Sequence, residues 1–238
     1  MSSHVKVAHQ EQVTRITLAR ADQGNRMSNE MALALAAGVD AARGSRVLVL
    51  SAAGADFCLG RDMPPPPPGS GATPLDVMRD DAQPIIALFN SIRAFPQPIV
   101  SVVRGRAWGI GMVLAAMADL TVAAFDSTFR LRELERGIPP CIAMAPLLDR
   151  LPQKAIAHLV LSAGEMNVER ALAFGLVGQV SEPDMLDQDA EQLVERVLSF
   201  PPAAVAAVKQ YLATAPRFSE PSATLLGASI LANVLASR

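Results

Sequence analysis

Residues 98–117 constrain the fold more than any other part of the chain. Pro98-Ile-Val-Ser-Val-Val103 is a short, uninterrupted apolar run rich in β-branched residues, the pattern of a buried strand. Arg106-Ala-Trp-Gly-Ile-Gly-Met-Val-Leu-Ala-Ala-Met117 follows, and its Ala/Leu/Met-rich second half reads as a helix packed on all sides. Between them, Gly109 and Gly111 let the backbone turn tightly and come close to whatever sits there. The amides of Gly109, Ile110 and Gly111 open the helix, where no helical carbonyl accepts them. The helix dipole favours negative charge at that end. A strand, a glycine turn and a buried helix together make an anion site.

The remaining composition narrows the function classes. The chain has 238 residues, half of them hydrophobic and 18% charged, which gives ample core and excludes a disordered type. A net charge of -2 without a basic stripe argues against nucleic acid as a partner. Cys58 and Cys141 stand far apart with no metal-ligand spacing, and no HxxxH or CxxC pattern occurs, so no metal is expected. Two cysteines so placed suit a reducing, cytoplasmic setting. The first residues, Met1-Ser-Ser-His-Val-Lys6, lack a signal-peptide core. No run reaches the roughly 18 apolar residues of a membrane span. The expectation is a cytoplasmic protein with no membrane partner.

Along the chain, residues 5–7 and 13–18 alternate like a hairpin. Ser28 is placed to cap a helix over 29–42. A buried strand is expected at 46–51, a helix at 75–93, further strands at 119–124 and 128–131, and a helix at 141–150. Between the first two, the proline run 64–68 with its glycine-rich flank reads as an exposed loop. From Pro152 onward the pattern is almost all helical, with one short strand at 177–180. Strands alternating with helices point to βαβ units. No sequence repeat and no linker stand out. The fold expected is α/β, with a core over 1–195 and a C-terminal helical region over 196–238 that belongs to the same domain and serves oligomerisation.

Several segments, in order, resemble the enoyl-CoA hydratase/isomerase (crotonase) superfamily. Asn25-Arg-Met-Ser28 stands where that family has an Asn-Ala-Leu-Asn-type segment. Ala55-Asp-Phe-Cys-Leu-Gly-Arg-Asp-Met63 resembles its Phe-Ser/Cys-x-Gly-x-Asp motif, and Gly105-Arg-Ala-Trp-Gly-Ile-Gly-Met112 its glycine turn. Phe129-Arg-Leu-Arg-Glu-Leu-Glu-Arg-Gly137 resembles its Phe-x-x-Pro-Glu-x-x-x-Gly pattern, with Arg132 where proline is usual. Glu169-Arg-Ala-Leu-Ala-Phe-Gly-Leu-Val177 and Pro201-Pro-Ala-Ala-Val-Ala-Ala-Val-Lys209 match two later landmarks.

The resemblance implies a crotonase-like core of repeated ββα turns in a spiral, assembled as a homotrimer or a dimer of trimers. It implies an acyl-CoA substrate and no cofactor beyond the coenzyme A of the thioester itself. Two main-chain amides, by position those of Arg61 and Ile110, would hold the thioester oxygen as an oxyanion hole. Fixed donors at a developing oxyanion lower the barrier by roughly 3–4 kcal/mol each. Coenzyme A contacts are implied for Arg26, Met27, Cys58, Leu59, Gly60, Asp62 and Gly109. Arg26 reads either as a phosphate contact or as plain surface charge. Asp62 reads better as a loop anchor than as a reactive group.

Family hydratases place one glutamate on the helix after the glycine turn and a second in the Pro-Glu segment. The first position here is Val113 and the second is Glu133. A lone carboxylate beside an oxyanion hole suits a proton shuttle between two carbons of an acyl chain. Double-bond isomerisation of an enoyl-CoA with Glu133 as acid/base is therefore expected. Hydration, and acyl-CoA binding without catalysis, are the alternatives. Glu135 is the rival carboxylate, at the wrong spacing to Gly137. Cys141 is expected to be a buried packing thiol, and Trp108 either flanks the acyl chain or fills core.

Overall fold

The computed structural model describes residues 4–62, 69 and 71–236; the proline run 64–68 lies outside the described residues. Two sheets organise the molecule. The larger has six strands: β1 (Val5–Gln10), β2 (Val13–Leu18), β3 (Val47–Ala52), β4 (Ile99–Val103), β6 (Leu120–Ala124) and β9 (Gln179–Ser181). β1 runs antiparallel to β2, as the hairpin pattern predicts, and the remaining neighbours are parallel. The smaller sheet joins β5 (Arg106–Trp108), β7 (Thr128–Arg130) and β8 (Glu165–Asn167). Single bridges at Cys58–Ala107 and Met27–Arg61 extend it by further rungs.

The chain winds between these sheets in a repeated order. Each turn contributes a strand to the large sheet, then an extended piece to the small one, then a helix. β2 leads through Met27 into α1 (Asn29–Ala41), and β3 leads through Cys58 and Arg61 to α2 (Pro74–Val77) and α3 (Gln83–Arg93). β4 leads through β5 into α4 (Ile110–Met117), and β6 through β7 to α5 (Cys141–Met144). This is the ββα spiral the resemblance implies. Ser28 caps α1, its hydroxyl accepting from the Met31 amide.

The core explains why 98–117 reads as it does. All five residues of β4 and all eight of α4 are buried. Leu48, Leu50, Val103, Met112, Val113 and Leu114 belong to one continuous apolar cluster. A second, smaller cluster lies on the other face of the large sheet, where α8 (Leu186–Leu198) packs Leu186, Ala190 and Val194 on Val100, Val102 and Val122.

The structure corrects the helix expected over 75–93. It is interrupted by a π turn, Met78–Ala82, with the Gln83 amide donating to the Met78 carbonyl. Pro84 is the cause: it has no N–H for the Asp80 carbonyl four residues back, and its ring crowds that carbonyl. The helix expected over 141–150 is likewise short, passing into a 3₁₀ turn at Ala145–Leu147. α6 (Gln153–Ser162), α7 (Val168–Ala173), α9 (Pro202–Thr214) and α10 (Glu220–Ala236) complete the chain. Lys209 ties α9 to the body by donating to Asp119 Oδ2 and the Gln97 carbonyl, both at 2.7 Å. No described helix is long and apolar enough to cross a membrane.

Candidate active site

The two glycine motifs meet. The Cys58 amide donates to the Arg106 carbonyl and the Trp108 amide to the Cys58 carbonyl, which sets 58–62 alongside 106–109. Gly111 fits only because it lacks a side chain: a β-carbon there would lie 2.4 Å from the Cys58 carbonyl oxygen. Gly109 adopts φ 52° and ψ −123°, a backbone state that favours glycine, and caps α4. Ile110 is then the first residue of the helix, with an N–H that no helical carbonyl accepts. On the facing motif, the ladder to Met27 is made by the Gly60 carbonyl and the Asp62 amide, on either side of Arg61.

A cavity of about 820 Å³ opens where these motifs meet. Arg26, Leu59, Gly60, Arg61, Asp62, Gly109 and Ile110 line one part of its wall. Ile85 and Phe89 of α3, and Ile138, Pro139 and Ile142 before and within α5, add apolar surface, and Arg132, Glu133 and Arg136 complete it. Met27 and Cys58, expected as coenzyme contacts, do not reach this wall. Both are fully buried, and the Cys58 thiol, donating toward the Gly60 carbonyl, is pushed by burial up to about 12. They support the wall from behind.

Glu133 opens a 3₁₀ turn, Glu133–Arg136, that ends at Gly137 in the left-handed conformation. Burial raises its carboxyl above the ordinary glutamate range, against the lowering pull of nearby amides and of the Arg136 charge. Its Oε2 is buried and has no hydrogen-bond partner among the described residues. Glu135 is occupied elsewhere: Arg130 and Arg132 donate to its two oxygens, and it does not line the cavity. Asp62 does line it, but Arg20 donates to its Oδ2 at 2.5 Å. Val113, at the position of the first family glutamate, is wholly buried in the apolar core.

Three expectations about neighbouring side chains change. Cys141 is exposed, since α5 turns it outward, and is not a buried packing thiol. Trp108 does not face the cavity. Its indole N–H donates to Thr128, and the guanidinium groups of Arg106, Arg130 and Arg132 lie 5.2, 5.7 and 5.7 Å from its ring. Arg26 lines the cavity with its guanidinium donating to the Leu59 carbonyl at 3.3 Å, so it is more than surface charge.

Two features went unread in the sequence. One is the apolar wall from α3 and the segment around Pro139, which needs the tertiary fold to assemble. The other is Asn29, whose Nδ2 donates to the Asp80 carbonyl at 2.6 Å while its Oδ1 accepts from Arg61 Nη2 at 2.7 Å. A proline inside a helical pattern was the available signal, since it frees the carbonyl four residues before it.

Comparison with known proteins agrees with this architecture. A sequence profile described as enoyl-CoA hydratase/isomerase matches residues 8–234. (E)-Benzylidenesuccinyl-CoA hydratase of Thauera aromatica is 34% identical over 167 residues, covering 69% of this chain and 63% of that protein. Methylmalonyl-CoA decarboxylase of Escherichia coli (strain K12) is 30% identical over 157 residues, covering 66% and 58%. The matched segments thus span less than two thirds of either relative. Among solved structures, an enoyl-CoA hydratase of Mycobacterium smegmatis superposes with a TM-score of 0.89 at 25% identity, over 98% of this chain and 91% of that one.

Proposed function

The chain belongs to the enoyl-CoA hydratase/isomerase family, and from that premise we propose that it moves the double bond of an unsaturated acyl-CoA thioester, with Glu133 as the single acid/base group. The observation that carries this reading is the pairing of Glu133 with Val113. One carboxylate lines the cavity with a buried, unpartnered oxygen among the described residues, and the second carboxylate position holds a buried valine.

The chemistry follows from the arrangement. The thioester carbonyl lies between the amides of Arg61 and Ile110. Glu133 removes a proton from the carbon between the carbonyl and the double bond, and the electron pair moves onto the carbonyl oxygen as a dienolate. The two amides stabilise that charge without reorganising. The carboxylic acid so formed returns the proton to the far carbon of the former double bond, which brings the alkene into conjugation and regenerates the carboxylate. A raised carboxyl pKa suits a group that must both take and give a proton near neutral pH. Coenzyme A rests on the wall formed by Arg26, Leu59, Gly60 and Asp62, with the Arg26 guanidinium toward a phosphate.

Hydration is the second reading, favoured by the hydratase among the relatives. It requires a further group to orient the water, and Val113 cannot supply one. The two related acyl groups named above, a substituted succinyl and a methylmalonyl, each carry a second carboxyl group. The purified protein is tested with 3-enoyl-CoA and 2-enoyl-CoA thioesters, following conjugation and hydration separately. Conversion of the first, lost in Glu133→Gln, supports isomerisation; hydration of the second without it would replace that reading.

A further inference from the structure

Three aspartates stand between the start of α2 and the start of α3, and one of them lines the cavity. Asp76 closes a capping box with Thr73, and Arg79 reaches Asp76 and Asp80 at 3.2 and 2.7 Å. That network lies at the surface. Asp81 is half-buried and forms part of the cavity wall. Its carboxylate accepts no hydrogen bond and makes no ion pair among the described residues. The Arg61 charge attracts it, but Arg61 Nη2 reaches the Asp81 carbonyl, at 3.4 Å, and donates to Asn29 Oδ1 at 2.7 Å.

The π turn at Met78–Ala82 aims this side chain. In a regular α-helix, residues four apart step round the axis by about 40°. A π turn takes less rotation per residue, and Val77, Asp81, Ile85 and Phe89, each four apart, all line the cavity. Exposure falls along the stripe, from 38% at Val77 to 4% at Ile85 and 3% at Phe89. Asp81 is its one charged member, set where the wall passes from solvent into the apolar interior. Pro84, which forces the π turn, therefore also places a carboxylate in a wall that is otherwise apolar on this side.

A plain hydrocarbon chain laid along this stripe strips water from the Asp81 carboxylate and returns no hydrogen bond, which is costly. A hydroxyl at that point restores one, and a charge-assisted bond is a strong one. An ammonium group would also donate, but Arg26 and Arg61 line the same cavity and repel it. The donor that fits is neutral. We propose that Asp81 accepts a hydrogen bond from a hydroxyl group on the acyl chain, making the substrates hydroxyl-bearing unsaturated acyl-CoA thioesters. This rests on the acyl-CoA reading of the cavity given above, and it leaves the proton transfer to Glu133.

Binding of saturated probes tests it without requiring turnover. Dissociation constants are measured by calorimetry for coenzyme A and for two matched pairs of thioesters. Pentanoyl-CoA is paired with 4-hydroxybutyryl-CoA, and hexanoyl-CoA with 5-hydroxypentanoyl-CoA. Within each pair a terminal methyl is exchanged for a hydroxyl at the same chain position, and the two pairs sample two depths. In at least one pair the wild-type chain binds the hydroxyl compound about tenfold or more tightly, the scale of one charge-assisted bond. Asp81→Leu brings that ratio toward one, and Asp81→Asn, whose amide oxygen still accepts, keeps part of it. Equal binding within both pairs by the wild type overturns the proposal, a result that needs no variant. Asp81→Leu weakening coenzyme A and all four thioesters alike also overturns it, since Asp81 would then serve only as a counter-charge to Arg61. Failure of every probe to bind removes the acyl-CoA reading itself, an outcome distinct from equal binding.

Discussion

Glu133 Oε1 occupies the space that a side chain at Gly109 would need: a β-carbon on Gly109 would lie 2.9 Å from that oxygen and 3.2 Å from Gly60 Cα. The absent side chain is what lets the carboxylate reach the junction of the two glycine motifs. Gly109→Ala therefore displaces Glu133 and strains a backbone held at φ 52°, at a cost of about 1–3 kcal/mol. Gly111→Ala meets the Cys58 backbone instead, 2.4 Å away, and pushes α4 off the motif at 58–62. Both variants melt earlier than the parent. If the Gly109–Glu133 contact matters for chemistry, Gly109→Ala loses more kcat for each degree of lost melting temperature than Gly111→Ala does. Equal losses per degree would reduce Gly109 to a packing residue.

A desolvated acid/base group has a kinetic signature. Glu133→Gln, which keeps the shape and removes the titration, lowers kcat/KM by about 10²–10⁴. Glu135→Gln loses ion pairs with Arg130 and Arg132 and stays within a few-fold of the parent. In the parent, Glu133 must be ionised to take the first proton, so kcat/KM rises with pH through its folded pKa. Because burial raises that pKa, the acid limb lies above the roughly 4.3 of an ordinary glutamate. A limb at or below that value, or one that survives in Glu133→Gln, would assign the base elsewhere.

The fold and the site were legible in the sequence to different depths. The buried strand and helix around Gly109 read directly, because a residue buried on every side leaves a continuous apolar run. Two of the short strands did not: Arg106–Trp108 and Glu165–Asn167 are three residues each, too brief for alternation to show. Without them the small sheet, and with it the repeated ββα order, had no trace as a sequence repeat. Glu133 could be placed from its spacing to Gly137, but its burial beside Gly109 and the pairing of Glu135 with two arginines that also lie over Trp108 depend on the tertiary fold. A thiol with no base near it in sequence reads as packing, but α5 begins at the surface and leaves Cys141 exposed.

The same burial affects stability, with a definite sign. The folded chain holds the Glu133 proton more tightly than the unfolded chain does. Between the unfolded and folded pKa values the unfolded state has released its proton and the folded state has kept it, so stability falls as pH rises through that window. Above the window the full penalty of a buried carboxylate is present; below it the penalty is absent. Glu133→Gln carries no such penalty. The variant should unfold at a higher temperature than the parent near about pH 7, with the gap closing near about pH 4, where both side chains are neutral. Thermal denaturation at the two pH values is the check, and a parent at least as stable as the variant at neutral pH would contradict it.

Asn29 connects the π turn to the glycine loop, and its two hydrogen bonds can be separated. Pro84 denies the Asp80 carbonyl its usual donor four residues on, and Asn29 Nδ2 supplies one at 2.6 Å. Asn29 Oδ1 accepts from Arg61 Nη2 at 2.7 Å, holding the guanidinium of the residue that follows Gly60. Asn29→Ala removes both bonds and costs about 1–3 kcal/mol, since it strips a donor from one group and an acceptor from a charged one. Asn29→Asp keeps an acceptor for Arg61 but loses the donor to Asp80 and turns a carboxylate oxygen toward that carbonyl. If the bond to Arg61 keeps its amide aligned on the thioester, Asn29→Asp retains most of the parent's kcat while melting earlier, and Asn29→Ala loses kcat as well. A parental kcat in Asn29→Ala would show that the loop holds its shape without this side chain, leaving Asn29 as a support for the interrupted helix alone.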